Sequence, residues 1–204
     1  MKSTFNSIGV IGTGVIGSGW IIRFLFNKKK VYVYDPNKKQ KEFLLSEIRR
    51  VKLSLSKIYK SKINIKNQLF FCNSIKEAVT NADLIQENTP ENERIKIKII
   101  KKISESAKKN AIIASSSSGL LPSRIQMQCI NPGRMIIAHP FNPVYLLPLV
   151  ELVKGKKTTN SSIKKAEKFY TEIGMKTLKL KKELPGYLSD RLQESMWRES
   201  LHII

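Results

Sequence analysis

The run Gly12-Thr13-Gly14-Val15-Ile16-Gly17 constrains this chain more than any other feature. It matches the spacing GxGxxG and lies directly between a stretch that reads as a short buried strand, 7–12, and one that reads as a helix, 14–27. In that context the first glycine allows a tight turn. The second lets backbone approach a pyrophosphate, and the third lets the helix pack closely on the sheet. The amide groups of the helix N-terminus then face the phosphates. Glycine-rich turns are common, so the context decides: Asp35 ends the next strand, 31–35, and follows Gly12 by 23 residues. That is close to the ~20 residues at which a carboxylate reaches the ribose diol. A carboxylate there repels a 2′-phosphate and favours NAD over NADP, and Lys38 and Lys39 beside it weaken the preference.

The rest of the chain repeats the same alternation. Phe43, Leu44, Ile48, Val51, Leu55 and Ile58 recur at helical spacing between 37 and 59. Strands are expected at 69–71, 84–86, 112–114, 135–138, 149–153 and 176–180. Helices are expected at 91–107, near 124–128 and at 161–173, and the pattern is helical from 185 onward. In the helix at 91–107, Ile95, Ile99, Ile100 and Ile103 are expected to face the core and the lysines the solvent. Repeated βα units imply an α/β fold, a Rossmann-type doubly wound and mostly parallel sheet over 1–184, followed at 185–204 by the start of an all-helical domain.

Composition excludes several classes. The 204 residues carry 37 Lys plus Arg against 16 Asp plus Glu, a formal charge of +21, yet 41% are hydrophobic and 8% aromatic, too much for a disordered polycation. Of the basic residues 29 are Lys, spread through nearly every polar segment, which reads as a solvated surface. A nucleic-acid reader more often concentrates Arg and aromatics on one face, so neither nucleic acid nor membrane is expected as a partner. Cys72 and Cys129 form no CxxC pair, and His139 and His202 are too few and too far apart for a metal site without carboxylate help. No leader pattern opens the sequence and no apolar run approaches ~18 residues, so a cytoplasmic protein is expected.

The segment 114–151 carries the chemistry. Its serine run and the sequence HPFNP fall at the carboxyl ends of expected strands, where open α/β sheets bind ligands. Glu151, on a neighbouring strand, can accept from one ring nitrogen of His139 and leave the other for a substrate. Ser118 is a candidate to bind the reacting oxygen, whereas Ser115 to Ser117 are expected to cap the short helix that follows.

In order, GTGVIG, Asp35, ENTPE at 87–91, SSSSGL at 115–120, HPFNP at 139–143, LVE at 149–151 and PGYLSDRL at 185–192 resemble the motifs of the 3-hydroxyacyl-CoA dehydrogenase family. The resemblance covers nearly the whole chain. It is nearer to the branch that oxidises L-carnitine, because of HPFNPVYLLPLVE, SGLLPS and Asp190, where the acyl-CoA enzymes usually carry Asn. The resemblance implies His139 as catalytic base, Glu151 as its partner, Ser118 on the reacting oxygen, and Glu87 and Asn142 on the cofactor side, with NAD as cofactor. Asp190 would stand where a second domain meets the first. Tyr145 and Trp197 are the aromatic candidates for a trimethylammonium group. The implied substrate is L-carnitine, with a 3-hydroxyacyl-CoA as the alternative, and the implied full-length assembly is a homodimer. Family members continue into a helical domain, so the sequence reads as a fragment or a shortened chain with little turnover of its own, and a non-catalytic NAD-binding fragment is the further alternative.

Overall fold

The computed structural model describes residues 5–204. Its first half runs β1 (Ser7–Ile11), α1 (Val15–Phe26), β2 (Lys30–Tyr34), α2 (Lys39–Ile58), α3 (Ile65–Gln68), β3 (Leu69–Phe71), α4 (Ile75–Val79), β4 (Leu84–Glu87) and α5 (Glu93–Ser106). The second half continues with β5 (Ile112–Ser115), α6 (Pro122–Ile125), a 3-10 turn (Pro132–Arg134), β6 (Met135–Pro140), β7 (Leu149–Lys154), α7 (Asn160–Glu172), β8 (Lys176–Lys179) and α8 (Ser189–Ile203).

The strands form one sheet in the order β3-β2-β1-β4-β5-β6-β7-β8. Every neighbouring pair is parallel except β6 and β7. The order in which strands are added reverses between β1 and β4, so a crevice opens at their carboxyl ends, where the glycine loop lies. The register sets Ile11 beside Tyr34 and Glu87, and Glu87 beside Ser115. Strand alternation divides the core: Ile8 and Val10 join Trp20, Phe24, Leu44, Ile48, Phe169 and Tyr170 on one face. Ile11 joins Val79, Ile100, Ile103 and Ile125 on the other. Each such fully buried side chain contributes about 1.5–3 kcal/mol.

The α/β architecture agrees with the sequence reading, but several details differ. The short helices α3 and α4 and the 3-10 turn were not expected. Pro140 is the last residue of β6 and pairs with Val150, so the strand runs two residues past the expected 135–138 and takes in His139. A proline is tolerated at that terminal position because only its carbonyl is needed. Helix α8 begins at Ser189, and Gly186 and Tyr187, with φ of 71° and 46°, make the turn into it. On α5 the buried side chains are Lys96, Ile100, Ile103 and Ser104, whereas Ile95 is 41% exposed. A lysine turns inward there because a carboxylate awaits it. Among the described residues no helix is long and apolar enough to cross a membrane.

Candidate active site

The glycine loop is shaped by what each position excludes. Gly12 has φ of 87°, and a Cβ there would stand 2.7 Å from the carbonyl oxygen of Asn88. A Cβ on Gly17 would lie 2.0 Å from the oxygen of Gly12, so α1 can leave the loop this closely only through a glycine. A Cβ on Gly14 would meet nothing within 4 Å, so the loop leaves open space in front of the α1 N-terminus. That is the cradle a pyrophosphate needs, and the residues present fit NAD. Asp35 supports the turn: Oδ2 accepts from the Thr13 amide at 2.8 Å and its hydroxyl at 3.1 Å, and Oδ1 accepts from the Asn37 amide at 2.9 Å. Thr13 is buried and holds Asp35, whereas Val15 is 59% exposed. Asp35 borders a cavity of about 240 Å³ with Val33, Lys38, Lys41, Phe71 and Asn73 among its walls.

A second cavity of about 340 Å³ lies over the carboxyl ends of β4, β5 and β6, bordered by Ile16, Asn88, Glu91, Lys96, Ser118 and His139. His139 and Glu151 pair across the antiparallel β6 and β7, which puts both side chains on one face. Nδ1 of His139 lies 2.8 Å from Oε2 of Glu151. That contact leaves Nε2 as the ring nitrogen able to act on a substrate. The other carboxylate oxygen accepts the amides of Leu188 at 3.1 Å and Ser189 at 3.0 Å, the first of α8. Burial raises the Glu151 carboxyl, but the bonds from His139 and Ser189 outweigh it and hold the group below the usual carboxylate range. Asp190, in the first turn of α8, shifts upward: burial is the main cause, Glu151 and Glu91 add to it, and His139 opposes it. Tyr187 is fully buried, its ring centre 5.6 Å from that of His139, and its hydroxyl donates to the Leu120 carbonyl at 2.7 Å.

The serine run is more deeply wired than a helix cap. The α6 N-cap, Leu121, receives no side-chain bond, which corrects the capping expectation. Ser115 donates to the buried Glu87. Ser116 accepts from the Trp20 indole at 3.0 Å and from Gln86 at 2.9 Å, and donates to Asn88 at 2.8 Å. Glu91 gathers the next turn, accepting from the Ser117 hydroxyl at 2.5 Å and from the amides of Ser118 and Gly119 at 3.1 Å each. Burial raises its carboxyl too, yet these donors and Lys96 bring it below the usual range. Ser118 is thereby left at the wall of the cavity that His139 also lines.

Glu87 points into the protein's own polar network. It is fully buried, and its oxygens accept from Lys96 at 3.0 and 3.2 Å and from the amide and hydroxyl of Thr89 at 2.6 and 2.5 Å. Its role in this arrangement is to hold Lys96, whose ammonium also donates to the Thr89 carbonyl at 2.9 Å and lies 3.6 Å from Glu91. Sequence reasoning missed Glu91, Lys96, Ser116 and Tyr187. The ENTPE motif pointed to Glu91, but nothing local distinguishes Lys96 from the other lysines.

Asn142 and Tyr145 border a third cavity, of about 430 Å³, with Val15, Gly19, Glu47 and Arg50. The Tyr145 hydroxyl accepts from Arg50 at 3.3 Å, and its carbonyl accepts from the Tyr59 hydroxyl at 2.7 Å. The loop after β6 is thus drawn onto α2, and Tyr145 does not line the His139 cavity. Trp197 is 62% exposed on α8 and does not line it either. The structure therefore brings together Ile16, Ser118, His139 and Glu151, with Asp190 nearby, and places Asn142, Tyr145 and Trp197 apart from them.

Residues 7–184 match the profile of 3-hydroxyacyl-CoA dehydrogenase, NAD binding domain. The chain is 44% identical over 199 residues to L-carnitine dehydrogenase of Oceanobacillus iheyensis, covering 98% of this chain and 65% of that protein. It is 45% identical over 203 residues to L-carnitine dehydrogenase of Bacillus cereus, covering 100% and 62%. It thus spans a little under two thirds of the length of these curated relatives. Among solved structures, 5-formyl-3-hydroxy-2-methylpyridine 4-carboxylic acid 5-dehydrogenase, an NAD+-dependent dismutase, superposes with a TM-score of 0.88 at 26% identity, over 97% of this chain and 64% of that one. The (S)-3-hydroxybutyryl-CoA dehydrogenase of Ralstonia eutropha shares the fold, with a TM-score of 0.82 at 24% identity, over 96% and 70%.

Proposed function

This chain belongs to the 3-hydroxyacyl-CoA dehydrogenase family and carries its NAD-binding domain, and from that premise we propose that it serves oxidation of the 3-hydroxyl of L-carnitine to 3-dehydrocarnitine. The observation that carries the reading is the His139–Glu151 pair at the wall of a cavity that adjoins the glycine loop through Ile16, in a chain 44% identical to an L-carnitine dehydrogenase. NAD, when bound, supplies the acceptor for the hydride that leaves the carbinol carbon.

The chain's own residues handle the proton. Nε2 of His139 takes it from the substrate hydroxyl as the carbonyl forms. Glu151 fixes the Nδ1–H tautomer and favours the imidazolium that results, and Ser118 holds the reacting oxygen in line. Lys96, paired with Glu87 and Glu91, fixes Glu91 and through it the serine turn at the cavity wall. In the same reading the functional protein is a cytoplasmic homodimer, residues 1–184 form the cofactor domain, and 185–204 open a helical one.

The test is an assay of NADH formation with L-carnitine and with 3-hydroxybutyryl-CoA. It is run on this chain and on the chain joined to the carboxy-terminal third of the Bacillus cereus relative. Turnover of L-carnitine well above the thioester supports the reading; the reverse preference assigns the protein to acyl-CoA oxidation. Absence of turnover with both substrates in the joined protein, with NAD bound, would leave a non-catalytic NAD-binding role.

A further inference from the structure

We propose that Lys38 and Lys41 form a phosphate-holding pair at the ribose end of the cofactor cavity, so that the site accepts NADP as well as NAD and Lys41 sets the ratio between them. The inference rests on the reading of the glycine loop as a dinucleotide cradle.

Asp35 is the group that would exclude a 2′-phosphate, and its oxygens are already largely occupied. Three donors point at it, from the Thr13 amide, the Thr13 hydroxyl and the Asn37 amide. A carboxylate has about four acceptor positions. One thus remains for a ribose hydroxyl; the donors are neutral and leave the carboxylate its charge, so the groups across the cavity decide what a 2′-phosphate meets. The wall facing it is positive. Lys38 and Lys41 both line the same cavity, three residues apart and so on one side of the helical turn that opens α2. The Lys41 ammonium lies 4.9 Å from the centre of the Phe71 ring, a contact that keeps it at the cavity wall.

Lys38 is also the N-cap of α2, a 20-residue helix whose positive end therefore borders the cavity. Cys72 completes the titratable lining, and burial, with Glu77 adding, pushes its thiol up to about 11, so it is uncharged at neutral pH. One carboxylate thus shares its cavity with two lysines and a helix N-terminus. That balance reverses the exclusion which the Asp35 position alone implies. The structure also changes the pair expected from sequence, because Lys39 is absent from the lining and Lys41 takes its place.

The test is calorimetric titration of the chain with NAD and with NADP at low salt and at about 0.5 M salt. Wild type is measured beside Lys38→Glu, Lys41→Glu and Lys39→Glu. NADP is expected to bind within about thirtyfold of NAD at low salt and to lose more affinity than NAD as salt rises. Lys41→Glu should lower NADP affinity at least about tenfold more than NAD affinity, Lys38→Glu by a smaller factor in the same direction, and Lys39→Glu should leave the ratio within about twofold. A wild-type gap wider than thirtyfold overturns the proposal. So does an equal shift of the ratio by Lys39→Glu, which would trace the effect to the general surface field. Failure of wild type to bind NAD at all is a different result, and it removes the dinucleotide reading itself.

Discussion

His139 and Glu151 stand directly opposite each other on antiparallel strands, and the carboxylate that meets Nδ1 at 2.8 Å also accepts, through its other oxygen, the amides of Leu188 and Ser189. One buried group therefore sets the tautomer of the proposed base and caps the helix that follows. Disturbing it should be felt at both ends.

Glu151→Gln keeps the shape but offers one oxygen and an NH2, so it cannot accept from the ring and from two amides with equal strength. Turnover in the joined protein should fall roughly a hundredfold, within the range for a base that has lost its orienting partner. Hydrogen exchange at the Leu188 and Ser189 amides should quicken in the chain alone. Unchanged protection there would mean that Glu151 does not hold α8.

Acid should release the same helix. The Glu151 carboxyl is held below the usual range in the folded protein, the bonds from His139 and Ser189 outweighing burial. Its contribution is therefore complete above the unfolded value of about 4.3 and is lost as pH falls through the lower folded value. Exchange at Ser189 is expected to stay slow from pH 7 to about 5 and to quicken below about 4. In Glu151→Gln that acid step should be missing, and its persistence would assign the acid sensitivity to another group.

His139→Ala should lower turnover of the joined protein by roughly two to four orders of magnitude and leave NAD affinity within severalfold. Turnover near wild type would remove His139 as the base.

How far this site was legible in the sequence follows from the range of the interactions that make it. The glycine loop and Asp35 are local signals of turn chemistry and strand-end position, and the loop lies where its spacing put it. The contact of His139 with Glu151 was legible only as one between neighbouring strands, because the expected strand ended at 138 and the register follows from the antiparallel pairing of β6 with β7. Lys96 escaped because its burial depends on Glu87, nine residues away on another element, and its helix face had been assigned from the isoleucines alone. Ser116 escaped because its partners Trp20, Gln86 and Asn88 come from three distant segments. Tyr145 was misplaced for the same reason: Arg50 and Tyr59, 95 and 86 residues earlier, pull its loop onto α2.

The serines offer a separation of support from chemistry. Ser116→Ala removes the acceptor of the Trp20 and Gln86 donors and should cost about 1–3 kcal/mol in urea unfolding, the range for unpaired buried polar groups. Ser118→Ala, at the cavity wall, should change stability by less than about 0.5 kcal/mol and lower turnover in the joined protein. Equal loss of stability in both variants would make Ser118 a second structural serine.

The glycines test the cradle directly, because the same kind of substitution should do opposite things at two positions three residues apart. At Gly14 an added Cβ meets nothing within 4 Å, so Gly14→Val puts its side chain into the open space before the α1 N-terminus and leaves the protein's own packing intact. NAD affinity should then fall at least about a hundredfold while the melting temperature moves by only a few degrees. At Gly17 the added atom would stand 2.0 Å from the Gly12 oxygen, so even Gly17→Ala must push α1 away from the loop. That variant should lose on the order of 2 kcal/mol or more of stability before any ligand is added, consistent with overpacking at a tight backbone contact. Calorimetry with NAD and thermal melts of the two proteins separate these effects. If Gly14→Val binds NAD as well as wild type, the open space in front of α1 is not where the pyrophosphate lies, and the loop is a structural turn alone.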